Sequence, residues 1–394
     1  MDIIYLNLLK LQQAQNHCAT VVVLIRTPEE RRHVTDLASF CERLIVVTPR
    51  NVDSLLFKVY YRILYSFLSL LRWWPRCTFY GAPPELRREV QRLTAEHRFD
   101  LVEIHHSTSA ALRDDVGKGP AALYLYDVHF RAKTRLAETK SGLSRLLAQM
   151  EVSKFRRFET RALRRFDLLM LGQEQDKTEV QKWVDDWAAV HLMPNVIDTD
   201  TVKPAVNGGM SALVAIFVGA MTHHANVDAV INFFNAGWLQ VIDRVPGAEW
   251  WIVGASPPDK ILALDGRMGV RVFADVPDIR PYIAKASVYV APLRIGSGVK
   301  VKIMEALALG KAIVATPVAA EGMGLLPGRD LEVAEIDSFF ADAVVRVFND
   351  TTHRMMLEAN ARKAAIELFS VTAGAQALAV AYARFPDVKE VACR

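Results

Sequence analysis

The sequence predicts an α/β protein made of two doubly wound domains. Short apolar runs rich in Val, Ile and Leu alternate with segments of helical spacing along almost the whole chain, a pattern typical of parallel sheets covered by helices. The alternation stops near the middle of the chain, at a cluster of turn-forming residues, and then starts again. At 394 residues the chain is also too long for one typical hydrophobic core.

Five apolar runs in the first half have the length and composition of buried parallel strands. They lie at residues 20–25, 44–48, 101–105, 121–126 and 168–171. Residues 84–96 and 144–165 carry apolar side chains at helical spacing. We therefore expect a first domain over residues 1–195, with helices covering a parallel sheet.

The linker between the domains is expected to begin at Pro194 and Asn195, where turn-forming residues cluster. Beyond it, the expected strands lie at residues 212–218, 249–253, 270–273, 288–291 and 312–315. The expected helices lie at residues 226–234, 276–286, 300–308 and 336–349. These elements define a second domain over residues 196–373, and residues 374–394 form a helix that packs back toward the first domain.

The composition limits the class of protein. A net charge of +4 suits phosphate binding but is too weak to indicate nucleic acid, so no nucleic-acid partner is expected. The four cysteines, Cys18, Cys41, Cys77 and Cys393, stand far apart and indicate neither a zinc site nor a disulfide framework. The sequence contains no stretch of 18 uncharged apolar residues, so no membrane-spanning helix is predicted. These features together predict a cytoplasmic protein.

The most informative motif follows the expected strand at residues 288–291. Gly296, Ser297 and Gly298 form a short glycine loop that leads into a helix starting near residue 300. Glycines let the backbone approach a ligand closely, and a helix N-terminus attracts phosphate through its free N–H groups. The loop lacks the spacing of a Walker phosphate-binding motif. A tight strand-to-helix turn without a ligand explains the same glycines equally well.

Charged residues surround this glycine loop. Arg294, Lys300 and Lys302 add positive charge beside it, and Glu305 follows in the helix, where a carboxylate can accept hydrogen bonds from a ribose diol. The loop is expected at the carboxyl end of a parallel strand, where open α/β sheets bind ligands. Solvated lysines on a helix surface are the alternative interpretation of the cations.

The sequence resembles the retaining glycosyltransferases of family 4, over about residues 20–385 and most strongly from 190 to 325. These enzymes have the GT-B fold of two Rossmann-like domains around a cleft. The family's hallmark helix is matched by Glu305-Ala-Leu-Ala-Leu-Gly310, followed by Lys-Ala-Ile-Val-Ala-Thr. Residues 293–302 resemble the donor loop of a bacterial branch of this family. Residues 217–221, 250–254, 270–278 and 194–198 resemble further landmarks in the same order.

The resemblance implies roles for several residues. Glu305 would bind the ribose hydroxyls of a nucleotide, and backbone amides near Gly298 with Lys300 or Lys302 would neutralise its diphosphate. Arg294 is a second candidate for that role. Gly219 and Asn226 resemble the donor-side turn after the first strand of the second domain.

One position departs from the family's common pattern. Ser297 stands where the family usually has a first glutamate, which touches the donor sugar. The sugar and the base, of UDP or GDP type, are therefore left open.

In the first domain, residues 122–129 resemble the strand that delivers an active-site histidine in the family. Tyr126 occupies the usual histidine position, and Asp127 and His129 follow it as catalytic candidates. A structural role for His129 is an equal alternative. His105 and His106 end another expected strand. They either face the site or have a structural role.

Two further segments bear on function. Residues 4–11 have the pattern of a helix where the family begins with a strand and a glycine-rich loop, so we expect these to be missing. Residues 55–74 combine aromatic with basic side chains, which is typical of interfacial helices. This predicts peripheral contact with a membrane, placing the protein at its inner face. A helix packed with its aromatics in the core is the alternative.

The resemblance implies a retaining glycosyltransferase that needs no metal and no cofactor. It would move a sugar from a nucleotide sugar to a saccharide or lipid-linked acceptor, in synthesis of surface polysaccharide or another glycoconjugate. Asp198 and Asp200 mimic a metal-binding Asp-x-Asp motif but lie in the linker, where aspartates form turns. Ser297 and the missing first strand motivate a second hypothesis, a non-catalytic accessory or nucleotide-binding protein. A sugar-nucleotide epimerase of the same fold is the third.

Overall fold

The computed structural model describes residues 3–27, 30–31, 34–49, 55–126, 128–138, 140–185, 189–204, 213–295 and 301–385. The chain folds into two compact units. The first unit consists of Met1–Asn195 with Gly374–Arg394, and the second of Val196–Ala373.

Six strands of the first unit form two parallel sheets within the described residues. They are β1 (Thr20–Leu24), β2 (Arg43–Val47), β3 (Val102–His105), β4 (Ala121–Leu125), β5 (Leu168–Leu171) and β6 (Val190–Leu192). One sheet pairs β1 with β2, and the other has the order β3-β4-β5-β6. Five of these strands match the expected apolar runs, whereas β6 has only three residues and is too short to stand out in the sequence.

Helices cover these sheets. They are α1 (Ile3–Ala14), α2 (Thr35–Ala38), α3 (Leu55–Arg72), α4 (Cys77–Gly81), α5 (Pro84–Glu96), α6 (His129–Glu138), α7 (Gly142–Leu163) and α8 (Glu174–Gln181), with a 3₁₀ helix over Ser107–Asp114. β4 is buried along its whole length, and its side chains join a core with residues of α7. The chain enters this unit through a helix, with β1 as the first strand of the described residues.

The second unit is built on one six-stranded parallel sheet. Its strands are β7 (Val214–Val218), β8 (Glu249–Gly254), β9 (Val270–Ala274), β10 (Val288–Ala291), β11 (Ala312–Ala315) and β12 (Glu332–Val333). Its helices are α9 (His224–Phe233), α10 (Leu239–Arg244), α11 (Asp259–Leu262), α12 (Arg280–Lys285), α13 (Val301–Ala308), α14 (Pro317–Ala320), α15 (Ser338–Asn349) and α16 (Thr351–Phe369). A π-helical turn over Phe234–Trp238 joins α9 to α10.

Both faces of this sheet are buried. On β7, Ala215 and Phe217 belong to one hydrophobic cluster, whereas Ile216 and Val218 belong to another on the opposite face. Alternation of this kind places helices on both sides of the sheet, which is the doubly wound arrangement. The fold class expected from the sequence is therefore confirmed.

The last helix, α17 (Val371–Tyr382), follows α16 after a break. Together the two helices are long and apolar enough to cross a membrane by length and composition alone. The backbone is extended at Ser370, however, so the segment is two helices and not one. Leu357 and Leu378 are fully buried, and the Tyr382 hydroxyl donates to Glu103 over 2.5 Å. These residues serve as core side chains in the structure.

The cysteines differ in state. Cys41 and Cys77 are free, and burial raises the pKa of the Cys77 thiol to about 11, which keeps it protonated and unreactive near neutral pH. Cys18 is disulfide-bonded. The wide separation of the cysteines along the chain did not predict this bond, because sequence distance does not report spatial distance.

Candidate functional site

The strand order of the second unit indicates which edge of its sheet is the candidate ligand site. The order is β12-β11-β10-β7-β8-β9, so the chain runs from β7 outward to β9 and then returns to the other side of β7 as β10. The point where the order reverses lies between β7 and β10. In open α/β sheets, ligands bind beyond the carboxyl ends of the two strands at such a point.

Gly219 lies at this edge, directly after β7, and its backbone is tightly enclosed. A Cβ atom on Gly219 would lie 2.8 Å from the side chain of Asn226, and one on Gly254 would lie 1.9 Å from the carbonyl oxygen of Gly219. The Asn226 amide donates to the Ala220 carbonyl over 2.8 Å. Gly219 and Asn226 are therefore brought together, and here the Asn226 side chain fixes the turn between β7 and α9.

Arg294 lies just beyond β10, on the other side of the reversal. Its Nη2 is 2.9 Å from Asp228 Oδ1 and its Nε is 3.1 Å from Asp228 Oδ2, a two-pronged ion pair that joins the end of β10 to α9. This hydrogen bonding to Asp228 raises the pKa of Arg294. The sequence singled out Arg294 as a cation for phosphate, but Asp228 neutralises it in the structure. No motif in the sequence pointed to Asp228.

Glu305 lies in α13, one turn after the helix begins. Its Oε2 accepts a hydrogen bond of 2.7 Å from Lys302 Nζ, and its side chain is largely buried while that of Lys302 is exposed. The Glu305 charge also acts on Tyr289 of β10, whose pKa is raised first by burial and then by this charge. The Tyr289 hydroxyl lies 3.4 Å from the carbonyl oxygen of Val218, the last residue of β7.

These contacts bring part of the predicted donor site together. Lys302 and Glu305 form one ion pair, and the Tyr289 hydroxyl, whose pKa is raised by burial and then by the Glu305 charge, reaches the end of β7. A carboxylate and a half-exposed ammonium beside a strand end can bind hydroxyl and phosphate groups. Five predicted site residues, Asp127, Gly296, Ser297, Gly298 and Lys300, lie outside the described residues.

In the first unit, polar side chains gather at the carboxyl ends of β3 and β4. His105 Nδ1 lies 2.8 Å from the Tyr126 hydroxyl, and the Tyr126 ring lies 4.6 Å from the ring of His106. His106 is exposed and has a φ of 68°, a conformation that is rare for residues other than glycine. Such strained residues are concentrated at functional sites.

A buried polar network lies behind His105. Glu103 accepts hydrogen bonds from Gln12 Nε2 over 2.8 Å and from the Tyr382 hydroxyl over 2.5 Å, and His105 Nε2 lies 3.7 Å away. Burial disfavours the charged carboxylate, but these partners outweigh it, so the pKa of Glu103 is lowered. This buried network holds the His105 ring in place and favours a structural role for it.

His129 begins α6 and is held by residues from two other elements. Its Nδ1 lies 2.9 Å from Ser107 Oγ, which in turn donates to Glu159 Oε1 over 2.6 Å. The His129 ring stacks on Phe155 with a centroid distance of 5.5 Å and an interplanar angle of 8°. Ser107 and Glu159 were not singled out in the sequence, because they come from the 3₁₀ helix and from α7, far from His129 in sequence.

The described residues hold no group of three or more His, Cys, Asp or Glu side chains that could bind a metal ion. Asp198 Oδ1 accepts hydrogen bonds from the backbone N–H groups of Asp200 and Thr201. The Asp-x-Asp motif therefore forms a turn, as its position in the linker predicted.

Comparison with known proteins relates the second unit to a family. Residues 212–350 match the family model described as glycosyl transferases group 1, which is less than half of the chain. The matched residues all lie within the second unit. Among curated proteins, no sequence matches the chain.

Solved structures match a larger share of the chain. Anabaena HepE, solved in complex with UDP-glucose, is 15% identical with a TM-score of 0.61, covering 95% of this chain and 94% of that one. A glycosyltransferase from Rickettsia africae is 9% identical with a TM-score of 0.64, covering 98% and 95%. TarM is 12% identical with a TM-score of 0.60; the match covers 75% of this chain but only 58% of TarM. These similarities show that the protein has the GT-B fold.

Proposed function

We propose that the protein is a glycosyltransferase that binds a nucleoside-diphosphate sugar at the strand reversal of its second unit. The observation that carries this proposal is the position of Glu305, which is largely buried and paired with Lys302 in the helix that follows β10, the strand on one side of the reversal. The match of residues 212–350 to glycosyl transferases group 1 supports the same activity.

The residues at this edge suggest how a donor is held. Glu305 accepts hydrogen bonds from the two ribose hydroxyls, and Lys302 then exchanges its partner from Glu305 to a phosphate oxygen. Lys302 can make this exchange because it is the exposed member of the pair, whereas Glu305 is largely buried. The N-terminus of α13 favours the anionic diphosphate, and Lys300, one residue before it, adds positive charge.

Arg294 takes a different role in this proposal from the one first expected. Its ion pair with Asp228 ties the end of β10 to α9 across the reversal. Arg294 therefore shapes the site, and Lys300 and Lys302 supply the charge that stabilises the departing nucleoside diphosphate. Fixed cations and N–H groups aimed at a developing charge are an effective source of catalysis.

A UDP-sugar is the donor that the comparisons favour. HepE was solved with UDP and glucose, and a pneumococcal O-GlcNAc transferase with a TM-score of 0.58 was solved with UDP and GlcNAc. Retention of the anomeric configuration and independence from metal ions are proposed from the resemblance to family 4. The acceptor is a saccharide or a lipid-linked saccharide, for which His129 of the first unit is the candidate contact.

Peripheral membrane contact through α3 fits a lipid-linked acceptor. The helix exposes Tyr60, Ile63 and Phe67 by 58%, 66% and 62%, at the spacing of one helix face. Leu70 and Leu71 continue this face, so α3 exposes a large apolar surface. Tyr65 is buried, as the core hypothesis required, whereas Tyr60 and Phe67 belong to the exposed face, which suits a membrane interface with an anionic inner face.

A binding protein without turnover is the second candidate. The described residues of the first unit form two separate sheets. In the family that the sequence resembles, this part of the fold has a strand and a glycine-rich loop that face the donor phosphates. Such a protein would bind the nucleotide without transferring or hydrolysing the sugar. An epimerase would instead convert the donor without any acceptor.

One assay separates these functions. The protein is incubated with UDP-glucose, UDP-GlcNAc or a GDP-sugar, with and without EDTA, and the released nucleotide is measured by chromatography. A transferase releases UDP slowly in water and faster with an acceptor, and EDTA leaves the rate unchanged. Nucleotide binding without release of UDP or GDP would favour the accessory role, and an isomerised donor would favour the epimerase.

A further inference from the structure

Ser107, His129 and Glu159 form a hydrogen-bonded cluster in the first unit, centred on the Glu159 carboxylate. Glu159 Oε1 accepts hydrogen bonds from the Ser107 hydroxyl over 2.6 Å and from the His129 backbone N–H over 3.1 Å. Glu159 Oε2 accepts from the Phe130 backbone N–H over 3.1 Å. The carboxylate therefore caps the first turn of α6 and also fixes the serine.

Glu159 is surrounded by hydrogen-bond donors. The side chain is 2% exposed, and each of its contacts named above is an N–H or O–H donor. The first N–H groups of a helix carry partial positive charge, which stabilises a carboxylate placed at that end. An ionised carboxylate has no proton to donate, so the proton between Ser107 and Glu159 belongs to Ser107.

This assignment determines the tautomer of His129. A serine hydroxyl has a single proton, and here it is donated to Glu159. Ser107 Oγ can then only accept in its 2.9 Å hydrogen bond with His129 Nδ1, so Nδ1 carries the proton. In the neutral imidazole, Nε2 is left as an acceptor with a free lone pair. Within the described residues Nε2 has no hydrogen-bond partner, and the side chain is 30% exposed.

We propose that Ser107 and Glu159 are positioning residues that hold His129 with its proton on Nδ1, so that Nε2 accepts a hydrogen bond from a hydroxyl group of the saccharide substrate. Stacking on Phe155 and the bond to Ser107 fix the ring at two points. This role rests on the proposed glycosyltransferase function, whereas the tautomer itself does not.

Direct observation of the imidazole nitrogens tests the tautomer. The whole protein is labelled with ¹⁵N-histidine, and the His129 signals are assigned by their loss in His129→Gln. At a pH where the ring is neutral, we expect the nitrogen shifts of an Nδ1–H, unprotonated Nε2 imidazole. Ser107→Ala should move His129 toward a mixture of tautomers, and Ser107→Thr, which keeps the hydroxyl, should restore the original shifts. A proton on Nε2 in the unmodified protein, or unchanged shifts in Ser107→Ala, would overturn the inference.

Ser109→Ala is the matched control. Ser109 lies in the same 3₁₀ helix, and its hydroxyl donates to the Gly81 carbonyl over 3.2 Å, away from His129. This variant loses the same atom but should leave the His129 shifts unchanged. A thermal melt of each variant identifies any that fail to fold, and the threonine variant keeps the test valid if Ser107→Ala is one of them.

Transfer from UDP-glucose to an added saccharide acceptor tests the substrate contact. We expect kcat/KM to fall about tenfold in Ser107→Ala, to recover in Ser107→Thr and to stay unchanged in Ser109→Ala. When Nε2 of His129 is no longer held as a hydrogen-bond acceptor, the substrate loses about one hydrogen bond, which corresponds to about a tenfold effect. An equal effect of the two alanine variants would overturn the positioning role. Absence of UDP release from the unmodified protein would instead count against the proposed function, while the nitrogen shifts would still decide the tautomer.

Discussion

At the scale of single residues, the edge of the second unit's sheet where the donor is proposed to bind depends on two glycines and one ion pair. The carboxyl ends of β7 and β8 come so close that Gly254 has no room for a side chain beside the carbonyl oxygen of Gly219. Arg294 and Asp228 join the next strand end to α9. The glycines were visible in the sequence, but Asp228 was not, because only the fold brings it to Arg294.

Gly254→Ala is predicted to destabilise the protein. Its Cβ would lie 1.9 Å from a backbone oxygen, so the ends of β7 and β8 must move apart, and overpacking of this kind costs about 1–3 kcal/mol. Denaturant unfolding measures the difference in free energy. Gly119→Ala is the control, since its Cβ meets nothing within 4 Å, and equal stability of the two variants would refute the packing argument.

At the scale of elements, the sequence predicted most of the sheet strands but little of their pairing. Buried parallel strands are apolar throughout, so β4, β7 and β10 stood out, whereas the short β6 and β12 did not. The helix after β10 was expected from its hydrophobic spacing. Apolar runs carry no information about which strands are neighbours, so the reversal between β7 and β10 required the structure.

The exposed face of α3 gives the element-scale prediction. The unmodified protein should float with anionic liposomes at low salt, and the double variant Ile63→Ser/Phe67→Ser should lose most of this binding, because two side chains exposed by 66% and 62% no longer enter the interface.

Phe339→Ser provides the comparison for α3. Phe339 is 67% exposed but lies in α15 of the second unit, so its loss should not affect flotation. If the unmodified protein failed to float, or if Ile63→Ser/Phe67→Ser floated as well as Phe339→Ser, α3 would not be a membrane contact.

At the scale of the whole molecule, two units share one chain of 394 residues but differ in how clearly their function can be recognised. Part of the second unit matches a family model, and its strand order indicates a candidate site. The first unit holds a histidine whose surroundings come from two other segments, a constellation that no local motif encodes. Sequence patterns are local, and this is why they indicated the candidate site of the second unit more fully than the cluster around His129.

The most direct measurement of the central claim is calorimetric titration of UDP and GDP into the intact protein and into Glu305→Ala. We predict binding of UDP to the unmodified protein and at least tenfold weaker binding to the variant, because the ribose hydroxyls lose their acceptor, a difference of about 1.4 kcal/mol or more. Glu367→Ala, an exposed glutamate of α16, should bind as the unmodified protein does. Equal affinity of Glu305→Ala and the unmodified protein would contradict the assignment of the donor site.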